Sequence, residues 1–300
     1  MEPKITDDEL LNELKRRIEH NKITVKELKA LNEELKQVNK KLGESESLKS
    51  HFISNITNEI INPFTSILGL SRAILSVDKE NWKKVVSMVA LIYAEAFTLD
   101  FQFRNIFVAA KIEAGEIFPE IINTNVLNVI ESVLETFRVE ARRKKVSVTL
   151  EHSFKVDDQG MSLFKTDPEK LKLILANLLN NAVNFSHEGG VVEVIGKVDK
   201  GSLVICVRDY GIGISKENQK IIFDRFKRLD SGINSLNRGH GLGLSVNKAV
   251  IEMLNGKIDI QSEPGKGSCF TISIPESDAV TFDFASDANE TFFDSEEEIF

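Results

Sequence analysis

The chain has 300 residues, 42% hydrophobic and 28% charged, with a formal net charge of -8. That is enough for about two compact domains of ordinary soluble composition, and the negative balance argues against a nucleic-acid partner. No run reads as apolar and long enough to span a bilayer, and no signal peptide heads the sequence. The expectation is therefore a cytoplasmic protein, either soluble or the cytoplasmic part of something longer.

Residues 9–42 contain no Gly or Pro, and Leu28, Leu31, Leu35, Val38 and Leu42 recur in steps of three and four. That is the heptad rhythm of a coiled coil. The phase reaches back to Leu10 and Leu14, although Arg17, Asn21 and Thr24 interrupt the seam. A surface helix on a globular body is the alternative. The run from Gly43 to Ser47 is expected to break the heptads, giving a signalling helix over 1–44. A second helix is expected over 48–75, loosened or kinked at Pro63. After a short polar connection, a third covers 82–113. The last two make a helical hairpin, 45–117, whose apolar faces call for a second chain and a four-helix bundle.

Beyond Gly115 the pattern mixes helices and strands. Helices are expected over 126–145, 168–185, 215–226 and 243–254. Asp167 and Pro168 mark the second of these as N-cap and first helical residue. Strands are expected around Val146 to Leu150 and over 191–198, 203–208, 257–262 and 269–274. The arrangement reads as an α/β sandwich over 118–276, with helices layered on a largely antiparallel sheet. Cys206 and Cys269 each lie in an apolar run and read as buried, reduced thiols. The tail, 277–300, has no clear period and reads as acidic and disordered. From Glu276 to Phe300 there are nine acidic residues and no Lys or Arg. Phenylalanines punctuate that run, which leaves a weak docking strip as the alternative.

Four motifs follow one another in the last domain. Asn177, Asn181 and Asn184 lie on the helix after Asp167. Asp209, Gly211 and Gly213 follow a strand. Gly239, His240, Gly241, Leu242 and Gly243 enter a helix, and Glu263 to Ser268 joins the last two strands. A carboxylate at a strand end accepts a hydrogen bond from an adenine amine. Gly211 and Gly213 let backbone pass close to a base. Gly241 and Gly243 at a helix start offer N–H groups to phosphate, and the Asn181 carbonyl oxygen suits Mg²⁺. Taken singly, Asn181 is equally a helix-surface amide, and a glycine pair equally a turn.

In this order the motifs resemble the ATPase domain shared by histidine kinases, Hsp90, gyrase and the mismatch-repair ATPases. Phe223 to Arg228 narrows the resemblance to histidine kinases. It covers about residues 45–275. It implies ATP and Mg²⁺ as ligands, a lid from about Gly213 to Gly241, and Asn177 and Asn181 near the metal and phosphates. It also implies Arg228 as a phosphate contact and His240 as a lid or phosphate neighbour. The resemblance further implies a homodimer and a response-regulator receiver domain as partner. Asn184 departs from the pattern, since the family commonly has a basic residue there.

Phe52, Glu59 and Pro63 resemble the family's phosphoacceptor motif, and aligning on them puts Asn58 at the acceptor histidine. An amide nitrogen has its lone pair delocalised into the carbonyl and is a very poor nucleophile. Glu59 matches the carboxylate that would orient the imidazole, and Asn62 the residue that would position a water for dephosphorylating a regulator. His51 lies one heptad earlier, about 10 Å along the helix, too far to substitute without a shifted docking. Three readings stay open. The first is an ATP-binding kinase core without autophosphorylation that acts on a histidine-bearing partner kinase. The second is a pseudokinase scaffold, and the third a phosphatase-only regulator.

Overall fold

A computed structural model describes residues 7–78, 81–156, 161–224 and 241–278. Along the first helix, the side chains of 7–10, 13, 41–42 and 44–59 lie outside the described set. So does the tail beyond residue 278. The chain divides into two compact units, 1–58 and 59–300.

Helix α1 runs unbroken from Asp7 to Leu75. The expected break at Gly43 to Ser47 is absent. A lone glycine costs a helix about 1 kcal/mol, which the strong helix formers on both sides outweigh. Pro63 also lies inside α1, so its missing N–H forfeits one backbone bond without ending the helix. In the first unit, Leu28, Leu31, Leu35 and Val38 are all more than half exposed. The same unit carries charged pairs one turn apart, such as Lys22–Glu19 and Lys36–Glu33.

In the second unit, α1 ends in a turn and α2 follows from Trp82 to Ala114. Gly115 adopts the left-handed conformation that stops it, and its N–H reaches the Ile112 carbonyl. By length and composition α2 is apolar enough to cross a membrane, which corrects the expectation that no such run exists. Glu95, Asp100 and Arg104 interrupt the stretch and conceal it from a search for unbroken apolar sequence. One face of α2 meets protein: Phe97 and Phe101 set their rings edge-on to Phe137, with centroids 5.5 and 6.1 Å away.

The remaining elements form a sandwich. They are β1 (Ile122–Asn125), α3 (Val126–Arg143), β2 (Ser147–His152), β3 (Leu163–Thr166), α4 (Pro168–Phe185), β4 (Val191–Asp199), β5 (Ser202–Asp209), α5 (Lys216–Gln219), α6 (Gly243–Met253), β6 (Lys257–Glu263) and β7 (Gly267–Pro275). The larger sheet has the order β2-β4-β5-β7-β6, and only the β2-β4 pair is parallel. The sequence missed β1 and β3, which pair antiparallel as a separate ribbon. At four residues each, they are too short to show a clear alternation.

Helix α4 starts as the sequence predicts. Asp167 accepts from the Lys170 N–H at 2.9 Å, and its other oxygen takes the Glu120 N–H at 2.8 Å. Helix α5 stops at Gln219, well short of residue 226. Ser215 caps it, but its four residues contribute nothing buried, so no packing extends it.

Alternation on the strands sets the core. Leu203, Ile205 and Val207 of β5 turn to one face with Val192 and Val194 of β4 and Phe270, Ile272 and Ile274 of β7. Onto that face α4 lays Leu171, Leu175 and Leu178, and α3 lays Val129, Ile130, Val133 and Phe137. Cys206 and Cys269 fall on the alternate face. They are half-buried and joined by a disulfide, not buried and reduced as expected. Their partners across the ladder are Thr271 and Arg208, so the cysteines lie on a diagonal, with Cα atoms 6.3 Å apart. A sequence separation of 63 gives no local sign of this.

Candidate nucleotide site

The alternation that fills the core also places Asp209. It ends β5 in the same phase as Leu203, Ile205 and Val207, so its carboxylate turns inward and is 5% exposed. One oxygen accepts the Gly211 N–H at 2.9 Å. Burial pushes the carboxyl pKa up, and backbone donors at Gly211 and Ser268 and the nearby His187 oppose that rise.

Asp209 opens into a cavity of about 650 Å³ between the sheet's upper end, α4, α6 and α2. Asn177, Asn181 and Asn184 line it from α4, where spacings of four and three place them on one stripe. Gly213 lines it from the loop after β5, and Gly241, Leu242 and Gly243 from the start of α6. Gly211 does not line it. A Cβ there would overlap the Phe185 carbonyl, and one at Gly213, whose φ is +65°, would overlap the Glu263 carbonyl. Both glycines are thus demanded by close backbone packing within the protein.

The fourth motif serves the same packing. Gly265 N–H donates to the Ile212 carbonyl at 2.7 Å, and the Ser262 hydroxyl accepts the Ile214 N–H at 2.7 Å. Gln219 adds bonds to the Ile214 and Ser262 carbonyls, both 2.8 Å. The β6-β7 turn therefore fixes the loop that carries Gly213.

Asn177 shows what the cavity is built to receive. Its amide nitrogen donates to Asn247 Oδ1 at 2.7 Å and to the Gly243 carbonyl at 3.3 Å. Asn247, fully buried, is itself fixed by its bond to the Ile174 carbonyl. With the nitrogen so committed, Asn177 Oδ1 is buried without a hydrogen-bond partner among the described residues. An orphaned amide oxygen in a polar cavity is costly unless a cation or donor arrives. A hard divalent cation, which takes amide oxygens and keeps phosphate and water as its other ligands, fits that need.

Sequence reasoning missed the rest of the wall. Phe97, Phe101, Gln102 and Asn105 come from α2, and Glu140, Arg143 and Lys144 from the end of α3. Asn247 was missed as the support of Asn177; its only signal was a polar residue on the apolar face of α6. Arg228, Gly239 and His240, with most of the expected lid, lie outside the described residues. Asn58 and Glu59 belong to α1, but their side chains are likewise outside that set. Asn62 is exposed on α1 and does not line the cavity.

Residues 166–278 match the family model described as histidine kinase-, DNA gyrase B-, and HSP90-like ATPase. Along 89% of its length the chain is 30% identical to the sensor histidine kinase GacS of Pseudomonas protegens, spanning 29% of that protein. It is 29% identical over 77% of its length to the sensor-like histidine kinase SenX3 of Mycolicibacterium smegmatis, spanning 58% of it. Among solved structures, full-length ShkA in complex with AMPPNP superposes with a TM-score of 0.53 at 21% identity. That match covers 76% of this chain and 46% of ShkA and shows a shared fold. With a helical region leading into an α/β ATPase domain of this kind, the chain has the build of a two-component sensor histidine kinase core.

Proposed function

We propose that this chain is a dimeric, cytoplasmic signalling core that binds Mg-ATP in the cavity above β5 and does not phosphorylate itself at position 58. The observation that carries the reading is the buried oxygen of Asn177, unpartnered among the described residues, in a cavity shared with Asn181, Asp209 and the Gly241–Gly243 turn. Asp209 would accept the adenine amine, and the N–H groups at the start of α6 would meet phosphate. Asn181, with Asn177 beside it, would hold Mg²⁺, which when bound neutralises phosphate charge and supports phosphoryl transfer. Arg228 and His240 remain the expected lid contacts. Asn58 offers no nucleophile, so transfer would need the histidine of a partner kinase. The exposure of Asn62 on α1 favours a second reading, dephosphorylation of a response-regulator receiver domain.

The test uses the full chain. Calorimetric titration is expected to show Mg-ATP binding, and labelled ATP is expected to leave no acid-labile phosphate. Asn58→His should then acquire label, with Glu59 in place to orient the imidazole, and adding Asn181→Ala should abolish it. Label on the unmodified chain would defeat the nucleophile argument and turn attention to His51. ATP binding with an unlabelled Asn58→His variant would favour the scaffold or phosphatase reading.

A further inference from the structure

A polyphosphate entering this cavity needs positive charge. Among the described residues only two basic side chains line it, Arg143 and Lys144, both at the end of α3. They are not equivalent. Arg143 is half exposed and committed to Glu140 at 2.6 Å. Lys144 forms no ion pair among the described residues. Its ammonium instead donates to the amide oxygen of Asn184 on α4, 40 positions along the chain. Asn184 is held in turn, its nitrogen donating to Asn180 Oδ1 at 3.0 Å. Asn180, Asn181 and Asn184 all line the same wall as Lys144.

We propose that Lys144 is the phosphate-contacting cation of this site, steered across from α3 by Asn184. The inference rests on the Mg-ATP reading above. An ammonium has three donors, and the amide oxygen of Asn184 uses one, leaving two for an anion at the cavity wall. Desolvation lowers the Lys144 pKa, and the charge of Arg143 adds to that against the opposing pull of Glu140. A bound polyanion would relieve that cost, whereas neutral Asn184 only orients the group. The arrangement also suits an asparagine at position 184, where the resemblance to histidine kinases implies a base. Here the positive charge stands at the end of the neighbouring helix α3, tied to the Asn184 amide.

The experiment compares Mg-ATP and adenosine binding to the full chain and to Lys144→Met, which keeps the aliphatic stem. Lys144→Met is expected to weaken Mg-ATP about tenfold or more while leaving adenosine binding and the ligand-free melting temperature unchanged. Adding Asn184→Lys to Lys144→Met should recover most of the loss by returning a cation to the same wall. Unchanged Mg-ATP affinity in Lys144→Met would overturn the proposal. So would a loss shared equally by adenosine, or one that Asn184→Lys cannot recover. Wild-type chain that binds no Mg-ATP would overturn the nucleotide reading and this inference with it.

Discussion

The ATPase domain and the amino-terminal helix solve the burial problem in opposite ways. In the sandwich, Phe137, Leu171, Ile205 and Ile272 are at most 1% exposed, because sheet and helices of the same chain close over them. On α1, Leu28, Leu31 and Leu35 are 59%, 61% and 58% exposed despite regular heptad spacing. The coiled-coil reading would bury that seam against a second helix. A domain that closes on itself can hold a ligand site at fixed geometry.

The largest test of that contrast is Phe137→Ala. The ring is 1% exposed and carries the edge-on contacts of Phe97 and Phe101, so it ties α2 to α3 as well as filling the core. Truncating a buried phenylalanine costs about 3–5 kcal/mol. Thermal unfolding of the full chain should show the ATPase transition fall steeply. An unchanged transition would mean the contact between α2 and the sandwich is not formed in solution.

The matching change on α1 should behave differently. Leu31→Glu puts a charge into the heptad seam and forfeits about 2 kcal/mol or more of burial per chain in a dimer. Light scattering should move from twice 33.7 kDa towards 33.7 kDa, while the ATPase melting transition stays in place. A wild-type chain that remains monomeric at high concentration would remove the coiled coil altogether.

The same contrast governs what the sequence disclosed. Strands β4, β5, β6 and β7 and helices α3, α4 and α6 were legible within a few residues, since period-two and helical patterns report burial directly. Asp209 and the α4 asparagines were legible as types at motif spacing. What escaped depends on contacts distant in sequence: the Cys206–Cys269 diagonal, the approach of Lys144 to Asn184, and the α2 wall of the cavity. The β1-β3 ribbon escaped because its strands are only four residues long, although Thr124, Phe164 and Thr166 give it a buried face. The continuity of α1 through Gly43 is hidden because the glycine's cost is small beside the helix formers flanking it.

The smallest expected effect, about tenfold, separates ligand chemistry from fold at one residue. Asp209 sits among core side chains yet is a carboxylate whose pKa is raised by burial above the ordinary 3.8. Because the folded state binds the proton more tightly than the unfolded one, burying the ionised form costs stability at pH above the raised pKa. That cost is relieved as pH falls through it. Nucleotide binding runs the other way, since only the ionised carboxylate is an acceptor on both oxygens. Asp209→Asn removes the titration. At neutral pH it should weaken Mg-ATP about tenfold, the worth of one charge-assisted hydrogen bond, while its melting temperature stays at or above that of wild type. On acidification the wild-type affinity should decline at a pH above 3.8, and the stability difference between the two proteins should close over the same interval. A variant that loses both stability and ATP at neutral pH would show that the charge serves the fold. Equal ATP affinity in both proteins would take Asp209 out of the site.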